Sequence, residues 1–117
     1  MKIFVIDDDP VVVQSCRRIL EAEGITVEVA ESVAEAEKIL KIHQFDLTLT
    51  DIKMPERDGF DMIRQVKSIQ PNLPVLVMTG YLTERTIEKG RNAGADDFIG
   101  KPFTPDELMT AVFRLGS

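Results

Sequence analysis

The sequence predicts an α/β protein: a parallel sheet with helices on both faces. Three observations carry this. Short apolar runs alternate with amphipathic stretches of helical length five times along the chain. Capping and turn residues punctuate each change of pattern. The length, 117 residues, suits one domain whose core holds without disulfide or metal staples. Strands separated by helices of this length run parallel and are covered on both sides.

Strand one is Ile3 to Ile6. Asp9 then reads as an N-cap and Pro10 as the first helical residue. The helix that follows places Val12, Val13, Cys16, Ile19 and Leu20 on one face and ends at Gly24. Strand two runs from about Thr26 to Ala30. Ser32-Val33-Ala34-Glu35 is a capping box that opens helix two, with Ala36, Ile39 and Leu40 turned inward. Strand three is Leu47 to Thr50. Helix three runs from about Gly59 to Ile69, with Met62, Ile63, Val66 and Ile69 inward. Pro71 and Pro74 bracket the turn into strand four, Val75 to Met78. Helix four starts near Thr83 and stops before Gly94. It is poor in apolar anchors, with Ile87 and Ala93, and Gly90 inside it weakens it further. Strand five is a short piece at Phe98-Ile99. Thr104-Pro105-Asp106-Glu107 is a second capping box, with proline at the first helical position. Helix five shows Leu108, Val112 and Leu115 at i, i+4 and i+7.

The apolar share of 44% and the charged share of 29% are ordinary for a globular protein. No apolar run approaches the roughly 20 residues that span a bilayer, and the N-terminus turns acidic too soon for a signal peptide. The expected location is the cytoplasm. Acids outnumber bases 20 to 14, a net charge of −6. That disfavours direct binding to nucleic acid or to an anionic membrane, and suits a cation wherever the acids cluster. Cys16 is the only cysteine, so no internal disulfide exists. On the apolar side of its helix it reads as a small buried hydrophobe.

In such sheets ligands bind beyond the carboxyl ends of the strands. Asp7, Asp8 and Asp9 follow strand one, Asp51 follows strand three, Thr79 follows strand four and Lys101 follows strand five. Each alone also reads as a turn or cap, and for Asp9 the cap reading is preferred. Their recurrence at successive strand ends separates a site from a set of turns. Converging carboxylates must take up protons or a cation. Oxygen-only donors favour Mg²⁺, Mn²⁺ or Ca²⁺, and Mg²⁺ is the ion that also bridges to phosphate. Lys101 supplies a point charge for a phosphate and Thr79 a hydroxyl. A carboxylate can attack phosphorus and become an aspartyl phosphate.

These residues resemble the receiver domain of bacterial response regulators. The matching segments are Val5-Ile6-Asp7-Asp8-Asp9, Thr50-Asp51-Ile52-Lys53-Met54-Pro55 with Asp58-Gly59, Val77-Met78-Thr79-Gly80, and Gly94-Ala95-Asp96-Asp97-Phe98-Ile99-Gly100-Lys101-Pro102-Phe103. The resemblance spans residues 1–117 as one receiver domain. It implies a flavodoxin-like three-layer α/β/α sandwich, with a five-stranded parallel sheet in the order 2-1-3-4-5 and five helices. It implies that Asp51 accepts a phosphoryl group. Mg²⁺ would be held by Asp8, by Asp51, by Asp7 through water and by the Lys53 carbonyl. Thr79 and Lys101 would contact the phosphoryl group. Phe98 matches the switch aromatic, which packs into space that Thr79 vacates and so alters the surface of helix four, strand five and helix five. The Lys101-Pro102 peptide is commonly cis in such domains.

The resemblance further implies a sensor histidine kinase or phosphotransfer protein as donor, an attached or separate output domain, and dimerisation through helix four, strand five and helix five. It implies no turnover enzyme. Lys53 and Tyr81 stand where the family varies, and are expected to set phosphoryl lifetime, with Tyr81 as a shield. Met1 directly before strand one leads to the expectation of an N-terminal receiver in a longer regulator. His43 is expected to be structural. The sharpest alternative is a haloacid-dehalogenase-like phosphatase built on Asp7-Asp8-Asp9-Pro10-Val11. It leaves Asp51 without a task and expects its acidic pair after the lysine, whereas Asp96-Asp97 precede Lys101. A receiver-like binding module and a flavin-binding domain are further alternatives. Acidic strand ends disfavour the latter.

Overall fold

Five apolar runs do form strands, and the helices between them carry the chain from one strand to the next. The computed structural model describes residues 1–54 and 57–116. Pro55 of the acidic motif lies outside the described residues. The strands are β1 (Lys2–Ile6), β2 (Thr26–Ala30), β3 (Leu47–Asp51), β4 (Val75–Thr79) and β5 (Asp97–Gly100). The helices are α1 (Pro10–Ala22), α2 (Val33–Ile42), α3 (Gly59–Ile69), α4 (Glu84–Ala93) and α5 (Pro105–Gly116). The strand order is β2-β1-β3-β4-β5, all parallel. This is the expected flavodoxin-like architecture. A small ribbon outside the sheet was not expected: Lys53–Met54 pairs antiparallel with Arg57–Asp58. Two-residue segments have no period to read.

The sheet divides the interior into two cores. On one side Phe4, Ile6, Val75 and Val77 meet Ala36 and Leu40 of α2, Met62, Ile63 and Val66 of α3, and Ala93 of α4. On the other, Ile3, Val5, Leu47, Leu49, Leu76 and Met78 meet Cys16 and Leu20 of α1 and Leu108 and Val112 of α5. Alternate residues of β1 and β4 serve opposite cores, as the pleat requires. The central strands β3 and β4 are buried at every position, which fixes the register at the strand ends where the site lies.

Caps fix where the helices begin. Asp9 caps α1 by accepting from the Val11 N–H at 2.9 Å, with Pro10 next. The two capping boxes differ. At α5 it closes both ways: Glu107 N–H donates to Thr104 Oγ1 at 3.1 Å, and Thr104 N–H to Glu107 Oε1 at 2.9 Å. At α2 Ser32 Oγ accepts from Glu35 N–H, but the Glu35 carboxylate takes the Glu31 N–H instead. Buried Gln70 closes the other end of α2, donating its Nε2 to Leu40 O at 2.8 Å and His43 O at 2.7 Å.

His43 is structural, as expected. Its Nδ1 lies 2.8 Å from both oxygens of Glu28, which also pairs with Lys2 at 2.9 Å. Burial works against the charge of Glu28, but the hydrogen bonds with Lys2 and His43 outweigh it and hold the carboxyl below its usual value of 4.5. A lowered folded-state value means that the unfolded chain protonates first as pH falls. The stability this group supplies is complete above its ordinary value and drains away as pH drops through the folded one. Glu28→Gln is therefore expected to be less stable than wild type at neutral pH. The gap should close on acidification below about pH 4.5, read as urea midpoints over a pH series. A gap that stays constant with pH would contradict this origin.

Candidate functional site

The parallel register brings the carboxyl ends of β1, β3, β4 and β5 to one edge. Ile6 pairs with Thr50, Asp51 with Met78, and Thr79 with Gly100. The residues singled out at the strand ends therefore meet. One carboxylate oxygen from each of Asp7, Asp8 and Asp51 lies within 4.8 Å of the others. Among the described residues no other group of acids, histidines or cysteines gathers in this way. Asp7 is wholly buried and Asp51 is buried, while Asp8 is exposed.

Lys101 closes the cluster. Its Nζ lies 2.9 Å from Asp7 Oδ2 and 3.3 Å from Asp51 Oδ2. Its backbone N–H donates to Thr79 O at 2.8 Å, and its peptide with Pro102 is cis, as expected. The other oxygens of the two buried acids take backbone donors: Asp7 Oδ1 from Asp9 N–H at 3.0 Å, and Asp51 Oδ1 from Lys53 N–H at 3.1 Å. Both carboxylates are thus oriented before any ligand arrives.

Charge balance in the cluster is incomplete. Burial, and then the charge of Asp7, push the Asp8 carboxyl above its usual value. Burial opposes the Lys101 charge. The hydrogen bond with Asp7 and the charge of Asp51 outweigh it and raise the ammonium above its ordinary value. Three carboxylates against one ammonium leave room for a cation. The all-oxygen donor set fits Mg²⁺ or another hard ion.

Thr79 adjoins this cluster through its carbonyl, whereas Phe98 lies toward α4. Thr79 is 2% exposed, and its Oγ1 accepts from Tyr81 N–H at 3.0 Å. Tyr81 is exposed, with the Lys53 ammonium 4.8 Å from its ring centroid. The two positions expected to set phosphoryl lifetime are therefore in contact. Phe98 turns toward α4 and packs on the α2/α3/α4 core, with the Arg91 guanidinium 6.0 Å from its ring centroid.

Gly90 of α4 has a reason the sequence did not show. A Cβ there would lie 2.5 Å from Phe98 Cε2 and Cζ. The glycine clears space for the ring, which outweighs the helix propensity it forgoes. Gly90→Ala should gain about 1 kcal/mol of propensity and lose about 1–3 kcal/mol to overpacking. The expected net is a loss of about 1 kcal/mol in urea unfolding. A stabilised variant would show that the ring gives way freely.

Cys16 lies on the other side of the sheet, fully buried, with its Sγ 3.8 Å from Met78 Sδ. Burial, reinforced by the charge of Asp7, pushes its thiol up to about 12. Among the described residues no helix is long and apolar enough to cross a membrane.

An acidic triad and a lysine thus meet at the carboxyl edge of a parallel five-stranded α/β sheet of order 2-1-3-4-5. The model of the response regulator receiver domain matches residues 3–113. The chain belongs to the response regulator receiver domain family, and so to two-component signalling. The response regulator MprA of Mycobacterium ulcerans is 38% identical over 115 residues, covering 98% of this chain and 50% of that protein. Its counterpart in Mycobacterium leprae is 37% identical over the same coverage. The chain thus spans about half the length of the curated relatives it matches. A CheY-like receiver domain from Methanospirillum hungatei superimposes with a TM-score of 0.91 at 32% identity, covering 97% of this chain and 90% of that one. The chemotaxis protein CheY4 of Vibrio cholerae gives 0.93 at 28%, covering 97% of both.

Proposed function

We propose that the domain takes a phosphoryl group onto Asp51 from a phosphohistidine, and holds it between Lys101 and Thr79. The observation that carries this reading is the convergence of Asp7, Asp8 and Asp51 within 4.8 Å, with Lys101 bound to both buried acids. An Asp51 carboxylate oxygen attacks phosphorus. The N–P bond breaks, its electron pair returns to the imidazole nitrogen of the donor, which takes a proton from water, and an acyl phosphate remains on Asp51. Lys101 already faces Asp51 Oδ2 and neutralises charge on the phosphoryl oxygens. Thr79 Oγ1 accepts from Tyr81, which leaves its O–H free to donate to a phosphoryl oxygen.

Asp8, Asp51, Asp7 through water, and the Lys53 carbonyl would hold Mg²⁺, which supplies charge neutralisation when bound. The domain serves as a switch rather than as a turnover enzyme. Drawing Thr79 toward the phosphoryl group releases space beside Phe98, and the surface formed by α4, β5 and α5 changes. A sensor histidine kinase or phosphotransfer protein is the donor, in the cytoplasm. An attached or separate output domain, or a second copy docked through α4, β5 and α5, receives the signal. The domain itself binds neither nucleic acid nor membrane. A net charge of −6 supports that.

Intact mass after incubation with acetyl phosphate tests the reading. Wild type should gain one phosphoryl group in Mg²⁺ and none in chelator, and Asp51→Asn should gain none. An adduct that survives Asp51→Asn would remove Asp51 as the acceptor.

A further inference from the structure

Basic side chains are distributed unevenly between paired and unpaired sites. Lys2, Arg17, Arg64, Lys67, Lys101 and Arg114 all sit in ion pairs. Arg85 and Lys89, like Arg18, Lys38 and Lys41, have no ion-pair partner among the described residues. Together with Lys53 they line one open pocket of about 350 Å³, between the segment after β3 and the start of α4. No acid lines it among the described residues, although the chain carries a net charge of −6. Arg85 and Lys89 are four apart on α4 and so share a face, where like charges cost helix stability. An anion between them would relieve that cost.

The rest of the pocket combines apolar side chains with the hydroxyls of Thr79 and Thr86. Ile52 and Phe60 contribute to its wall, and Tyr81 rises at its rim, 61% exposed, followed by Leu82 at 48%. An exposed ring beside cations that lack acid partners suits a ligand that combines carboxylates with apolar side chains. A polyanion such as nucleic acid meets the repulsion of the whole domain, whereas a short acidic segment feels chiefly the local cations.

We infer that this pocket docks an acidic peptide segment of a partner protein, its carboxylates on Arg85 and Lys89 and an adjacent apolar side chain against Ile52, Phe60 and Tyr81. Thr79 also lines the pocket, so the docked segment borders the proposed phosphoryl site while its binding stands independent of phosphoryl transfer.

The test is a titration of the isotope-labelled domain, followed by amide NMR shifts. The probe is a short peptide that alternates glutamate with leucine, and the control is its glutamine–leucine counterpart. The acidic peptide should shift the amides of Lys53, Tyr81, Arg85 and Lys89 in a salt-dependent way, and the control should not. The double variant Arg85→Glu/Lys89→Glu should weaken binding by about tenfold or more while still gaining the phosphoryl mass on Asp51. No shift, equal shifts with both peptides, shifts confined to another face, or binding that survives the charge reversal would each overturn the inference. Failure of wild type to gain the phosphoryl mass would overturn the acceptor role of Asp51 and leave the peptide result standing.

Discussion

Lys101→Met is expected to destabilise the domain by about 3 kcal/mol, because it strands a buried charge. Asp7 is wholly buried, and Lys101 is its ion-pair partner among the described residues. Removing one member of such a pair costs about 3–5 kcal/mol. The lower end applies here, since the Lys101 side chain is 22% exposed and water can partly replace it. Against a total stability of about 5–15 kcal/mol for a typical domain, that is a large fraction. Adding Asp7→Asn to the same chain should recover most of the loss, because the stranded charge is then gone. Urea unfolding of the two single variants and the double variant reads this directly. A loss below about 1 kcal/mol, or a double variant no more stable than Lys101→Met, would mean that Asp7 is held by its backbone donor rather than by the lysine.

Mg²⁺ should reverse the stability order of wild type and Asp8→Asn. An ion that binds only the folded chain stabilises it by about 2.7 kcal/mol at a free concentration 100 times its dissociation constant. Wild type should therefore melt higher in Mg²⁺ than in chelator. In chelator Asp8 is a liability, since burial and Asp7 both resist its charge. Asp8→Asn is expected to match or exceed wild type there. In Mg²⁺ the order reverses, because the variant lacks one of the three converging carboxylates. Thermal melts in the two buffers check both halves, and identical Mg²⁺ responses in the two proteins would exclude Asp8 from the ion's shell.

The architecture was legible because each strand is a dense apolar run closed by a cap or turn. Strand limits moved by a residue or two: β1 starts at Lys2, β3 reaches Asp51 and β4 reaches Thr79. Backbone pairing continues past the last apolar residue, and pattern reading stops there. The meeting of Asp7, Asp8, Asp51 and Lys101 was legible because a parallel sheet sends every strand end to the same edge. What each neighbour touches was not. Ser32–Glu35 and Thr104–Glu107 share one motif, yet Glu35 turns to Glu31 while Glu107 returns to its own cap. Gln70, which no motif singles out, satisfies two carbonyls at the end of α2. Gly90 reads as a helix breaker, but it makes room for Phe98. In each case the deciding partner lies in another element or is one of two nearby options, and local pattern distinguishes neither.

The silence of Cys16 has a practical use. A thiol that is fully buried and pushed up to about 12 carries almost no thiolate at neutral pH, and reagents cannot reach it. A cysteine introduced on the solvent side of α4 or α5 would then be the single reactive handle on the molecule. A fluorophore or spin label placed there could follow the proposed switch surface in real time, with the native cysteine left in its core.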